Sequence, residues 1–191
     1  MSRCRSEKNR KGNGRGAQRT VPCSVRWLRT HLTVCICMLL TLGIVTFIFA
    51  NSLENGEESM KTSGVVVETV KPIVDPEDRI DDETFSFSVR KLAHFIEFFW
   101  LGMALCGVLI GASRKSEGVA PLLSHPPVCG ALLFSLLTAV TDEYIQSFTG
   151  RTSSVSDVLL DFSGALCGLG LTALTVYLVR RICALRAQRR G

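Results

Sequence analysis

Two stretches far apart in the chain carry ionisable side chains at helical spacing within otherwise apolar sequence. The first holds Arg90, Lys91, His94 and Glu97; the second holds Asp142, Glu143 and Gln146 and then, past a Gly-Arg-Thr turn, Asp157 and Asp161. Offsets of three and four residues return to one face of a helix. Arg90, His94 and Glu97 therefore share a stripe, Asp142 and Gln146 a second, and Asp157 and Asp161 a third. Carboxylates and a histidine so arranged suit general acid and base work, which makes His94, Glu97, Asp142, Glu143 and Asp161 the catalytic candidates. Arg90, Lys91 and Arg151 suit a phosphate group, and with Gln146 and Asp157 they form the candidate substrate-binding set. The same acids are oxygen-rich enough for a divalent metal, with Glu97, Asp142 and Asp161 as its first candidates and Glu143 and Asp157 beside them.

Each residue also has a plainer reading. Arg90 and Lys91 can snorkel to a membrane interface. His94 can be a hydrogen-bonded helix residue, and Glu97 the partner of Arg90 or Arg151. Asp157 suits a helix N-terminus capped by Ser153, Ser154 or Ser156. Trp100, Tyr144, Phe95, Phe98 and Phe99 read as belt and packing residues. Together these give a salt-bridge network that pins three helix ends. Against it stands an acid excess, since five carboxylates face Arg90, Lys91, Arg151 and one histidine.

Charge and apolarity are segregated along the 191 residues, with 47% hydrophobic residues, 20% charged and a mean hydropathy of +0.27. A soluble domain would interleave the two, so the pattern is that of an integral membrane protein. Residues 1–30 hold nine Lys or Arg against Glu7 and read as a disordered, basic cytoplasmic tail. Apolar runs over about 32–50, 89–112, 128–148 and 156–179 are each long enough to span at about 1.5 Å per residue. A signal peptide is the rival for the first run, but its basic region is too long and Ile48 stands where cleavage would want a small residue. The 51–88 loop carries ten acids and too little apolar mass for a core of its own, so pieces of helix on the membrane surface are expected there. Residues 183–191 form a second basic tail.

Orientation follows from the bases. The N-tail, the 112–127 loop and the C-terminal stretch from Arg180 onward hold 16 of the 22 Lys and Arg, which places both termini in the cytoplasm. The 51–88 loop and the Gly150-Arg151 turn then face outward. Counted from the outer ends, Glu97, Asp142 and Asp161 all lie roughly 8–12 Å deep. The line Asp157, Asp161, Gly164, Gly168 continues as a GxxxG pattern that lets another helix approach closely. The expected fold is an all-α integral membrane protein, a four-transmembrane-helix bundle over residues 31–182 with an outward-facing polar pocket.

Several classes drop out. The net charge of +5 comes from terminal bases beside apolar runs, so nucleic acid is not expected as a partner. The eight cysteines form no CxxC pair or zinc spacing, and most lie in apolar runs. Walker, GxSxG and HExxH motifs are absent. Four short spans without an inverted repeat argue against a transporter.

The run from Arg90 to Phe98, the Thr141-Asp142-Glu143-Tyr144-Ile145-Gln146 segment and the stretch from Gly150 to Gly164 closely resemble the VanZ-like family. The Asn51-Ser52 exit of the first run and Glu58-Ser59 resemble it too. The likeness covers about residues 30–180, with Phe98 where a tyrosine is common. It implies a small multi-pass protein of the bacterial cytoplasmic membrane and a relation to resistance to the glycopeptide teicoplanin, with no reaction attached. Two readings stay open. One is a site that binds or processes a membrane lipid or lipid-linked envelope precursor. The other is a non-enzymatic scaffold or partner for an envelope enzyme, its polar cluster structural.

Overall fold

A computed structural model describes residues 23–53, 64, 67–77, 79–112, 126–149 and 153–189. Expectations for residues 1–22, for the 113–125 connection, for Glu58-Ser59 and for Arg151 fall outside them. Among the described residues there is no strand, and four long helices carry the fold: α1 Cys23–Ser52, α2 Asp82–Ala112, α3 Pro126–Phe148 and α4 Val155–Gln188.

Three helices outrun their apolar cores. α1 starts at Cys23, inside the stretch expected to be a disordered tail, because no Gly or Pro stands between Pro22 and the apolar run that begins at Leu32. α2 starts at Asp82, seven residues before Val89, with Asp82 and Glu83 in its first turn favouring the helix N-terminus. Asp81 accepts the Thr84 N–H at 2.9 Å and so caps that end, which holds its carboxyl below the ordinary value of 3.8. α4 continues past Val179 to Gln188, since arginine and alanine prolong a helix well and Arg186 suits its last turn. A helical piece over 67–74 lies in the loop, and its buried Lys71 pairs with Asp82 at 2.5 Å, tying the loop to the start of α2.

Each of the four helices is long and apolar enough to cross a membrane. Their outer faces are apolar and exposed, with Leu39, Leu42, Trp100, Leu137, Tyr144 and Leu174 all more than half exposed. An aqueous surface rarely tolerates so large an apolar patch, whereas lipid covers it without penalty. Apolar burial gives little drive between helices in lipid, so close packing must hold the bundle.

That packing is plainest between α2 and α4. A Cβ placed on Gly164 would lie 2.5 Å from the Phe95 carbonyl oxygen, and one on Gly168 2.0 Å from that of Phe99. From the other side, a Cβ on Gly102 would meet the Ala165 carbonyl at 2.0 Å. The GxxxG line is thus a seam where two backbones touch. α1 packs on α2 more loosely, through Cys37 against Gly107 and Val34 against Gly111.

Candidate functional site

The four helices bring their polar residues to one end of the bundle. His94 and Glu97 come from α2, Asp142, Glu143 and Gln146 from the last turns of α3, and Asp157 and Asp161 from the first turns of α4. α1 adds Asn51 and Ser52, its last two residues. One turn further in, on the same four helices, lies an apolar floor of Ile48, Phe98, Leu101, Ala139 and Ala165, each at most 1% exposed. The floor closes the site from the bundle interior and keeps its dielectric low.

Asp142 is the hub. It is fully buried; its Oδ1 accepts the Ser52 hydroxyl, and its Oδ2 accepts Gln146 Nε2 at 2.8 Å. Gln146 sits one turn along the same helix, so its bond fixes the carboxylate plane. His94 Nδ1 lies 3.7 Å from Asp142 Oδ2 and 3.8 Å from Glu97 Oε2. Glu97 Oε1 in turn accepts Asn51 Nδ2 at 2.8 Å. Asp161 is 1% exposed, and its Oδ2 has no hydrogen-bond partner among the described residues. An unsatisfied buried polar atom costs about 1–3 kcal/mol, and more when charged, so such an atom calls for a reason.

The remaining candidates sit around this centre. Glu143 is buried but serves the α3–α4 connection, accepting the Ser154 N–H at 3.1 Å. Ser154 is itself the N-cap of α4, its hydroxyl accepting the Asp157 N–H at 3.3 Å. Asp157 pairs with Lys91 at 2.5 Å, half-exposed, with Lys91 4.5 Å over the Phe87 ring. Arg90 is half-buried, and its Nε has no hydrogen-bond partner among the described residues. Tyr144 stacks edge-on against Phe148 at 4.9 Å and faces outward, as does Trp100. Phe98 instead fills the floor.

Ser52 and Asn51 were not among the sequence-derived site candidates. The signal for them was the polar Asn-Ser pair ending an apolar run, which reads equally as an ordinary helix exit. Only the folded bundle shows that the pair turns inward. For a metal, the donor atoms that lie within 4.8 Å of one another belong to His94, Asp142 and Asp161, whereas Glu97 engages Asn51.

Comparison with known proteins adds two positive findings. The sequence model of the VanZ/LLP1 family matches residues 34–177, which contain every described member of the site. An uncharacterized protein of Saccharomyces cerevisiae is 33% identical over 87 residues, covering 42% of this chain and 74% of its own length. No solved structure matches.

Proposed function

Since the chain belongs to the VanZ/LLP1 family of the preceding comparison, we propose that it binds and processes a phosphate-bearing membrane lipid at the polar end of its bundle. The observation that carries this reading is the convergence of His94, Glu97, Asp142 and Asp161 over a closed apolar floor. Such a site, roughly two helical turns in from the ends of α3 and α4, lies about 9 Å deep, near lipid headgroups. Lys91 and Arg90 stand on α2 one turn nearer its start than His94 and would meet a phosphate first. Glu97, 3.8 Å from His94 Nδ1, is the group to move a proton. The charge distribution of the chain supports a site that faces outward with both termini in the cytoplasm.

A yeast relative favours a lipid common to bacterial and eukaryotic membranes over a precursor peculiar to a bacterial wall. Glycopeptide resistance would then be a secondary effect of altered envelope lipid in a bacterial host, and not the reaction itself. A second reading keeps a specific basis: the Ser52–Asp142, Asn51–Glu97 and Ser154–Glu143 bonds all join different parts of the bundle, as structural glue would.

Lipid profiling separates the two. A deletion strain should show a changed level of one phosphate-bearing lipid class, restored by the wild-type gene but not by His94→Ala or Glu97→Ala at equal protein abundance. Full restoration by both variants would overturn the lipid reading. Loss of abundance and of thermal stability in detergent in both variants would favour the structural one.

A further inference from the structure

We propose that His94, Asp142 and Asp161 form a site for a divalent metal ion of the Mn2+ or Zn2+ class. The proposal stands apart from the lipid reading, because metal binding can be measured with no lipid substrate. Three helices each supply one donor, and the donor atoms all lie within 4.8 Å of one another. The 3.7 Å between His94 Nδ1 and Asp142 Oδ2 is too long for a hydrogen bond. It is, however, the separation of two ligands of one ion: donors each about 2.1 Å from a metal stand about 3.0–4.2 Å apart.

A second observation points to a ligand independently of the cluster. Asp161 is 1% exposed, and its Oδ2 makes no hydrogen bond among the described residues. A buried carboxylate oxygen in that state is a donor awaiting an acceptor, and a cation supplies one. Lysine does not fill the role, since Lys91 is held by Asp157 at 2.5 Å.

The surroundings have the form that metal sites require. Ser52 and Gln146 Nε2 donate to the two oxygens of Asp142, the kind of orienting bonds that metal-binding carboxylates carry. Glu97, with Oε2 3.8 Å from His94 Nδ1 and Oε1 accepting Asn51 Nδ2, adds negative charge beside the position of the ion. The donor set of one imidazole and two carboxylates is neither the thiolate set of a soft ion nor the all-oxygen set of Ca2+. Three protein ligands also leave coordination positions open, as sites that bind a further molecule do.

Full-length protein purified in detergent, stripped with a chelator and titrated with MnCl2 tests the site, with free Mn2+ read by its electron paramagnetic resonance signal. Wild type should take up one tightly held ion per chain, displaced by Zn2+, with the acidic 51–88 loop contributing only a weak background. Asp161→Asn should lose the tight ion, and Ser52→Ala should bind it about 10–100-fold more weakly, as when a ligand loses its orienting partner. Should Asp161→Asn fail to fold, His94→Gln decides by the same titration. Mn2+ uptake by Asp161→Asn or His94→Gln equal to wild type overturns the site. Tight Mn2+ binding with an unchanged lipid profile would sink the lipid reading alone, and a lipid phenotype without Mn2+ binding the metal site alone.

Discussion

The hydroxyl of Ser52, at the very end of α1, donates to the fully buried carboxylate of Asp142 on α3, ninety residues later in the chain. This bond joins the helix that is most exposed to the one that carries the hub of the site. Removing the hydroxyl leaves a buried carboxylate oxygen short of a donor. Ser52→Ala should cost about 1–3 kcal/mol. Thermal melting in detergent should show a drop of several degrees, and Ser52→Thr, which keeps the hydroxyl, should retain most of the wild-type value.

Two glycines on α4 provide a matched pair. A Cβ at Gly168 would meet the Phe99 backbone oxygen at 2.0 Å, whereas one at Gly170 meets nothing within 4 Å. Gly168→Ala must push α2 and α4 apart and should destabilise by about 1–3 kcal/mol. Gly170→Ala should be neutral or stabilise by about 0.5–1 kcal/mol through helix propensity. Equal melting temperatures for the two variants would refute the seam.

The Asp81 cap predicts a pH dependence at the start of α2. Its bond to the Thr84 N–H exists with the carboxylate ionised, so the folded value lies below the unfolded 3.8. A depressed value means that the stabilisation is complete above the unfolded value and is lost as pH falls through the folded one. Melting curves from neutral pH to below 3.8 should fall less steeply for Asp81→Asn than for wild type. Parallel curves would remove the cap from the account.

Asp161→Asn should not weaken the metal-free protein. The substitution keeps the shape and replaces an ionisable carboxyl, whose Oδ2 lacks a hydrogen-bond partner among the described residues, by an amide that cannot carry charge. Desolvation of an unpaired carboxylate is unfavourable, so metal-free melting should be unchanged or higher. A large drop would mean that the charge is met by groups of the fold itself.

Topology can be read with thiol reagents. Cys183 is exposed in the last part of α4, a stretch the positive-inside pattern places in the cytoplasm. In intact cells an impermeant maleimide should leave Cys183 unlabelled and should label a cysteine introduced at exposed Ile73 in a Cys183→Ser background. The reverse pattern would invert the orientation.

Four spanning helices were legible because apolar runs of about 20 residues have few other uses. Their ends were not, because the added turns of α2 and α4 mix polar residues with Phe85, Phe87, Ile182 and Leu185 and form no apolar run; Asp82 and Arg186 extend helices by end charge instead. The seam was legible from Gly164 and Gly168, since small residues four apart report directly on backbone approach. Asp142 and Asp161 were legible as charges on inward stripes. The direction of Glu143 was not: phase alone gives it a face, while its bond to Ser154 depends on how the connection to α4 turns. The part of Asn51 and Ser52 was hidden for a related reason, because a polar pair at a span's end faces water as readily as a neighbouring helix.

The backbone contact between α2 and α4 carries one more consequence. His94 and Asp161 sit on the two helices that touch through Gly102, Gly164 and Gly168, so their separation is set by main-chain atoms that cannot yield. Asp142 arrives on a third helix, whose end meets α1 through the Ser52 hydroxyl on Asp142 and the Thr149 hydroxyl on the Ser52 carbonyl oxygen, 3.3 Å away. The site thus has one wall locked by backbone contact and one joined by side-chain bonds. Separating α1 from α3 at this end would break hydroxyl bonds, whereas separating α2 from α4 would pull apart two packed backbones.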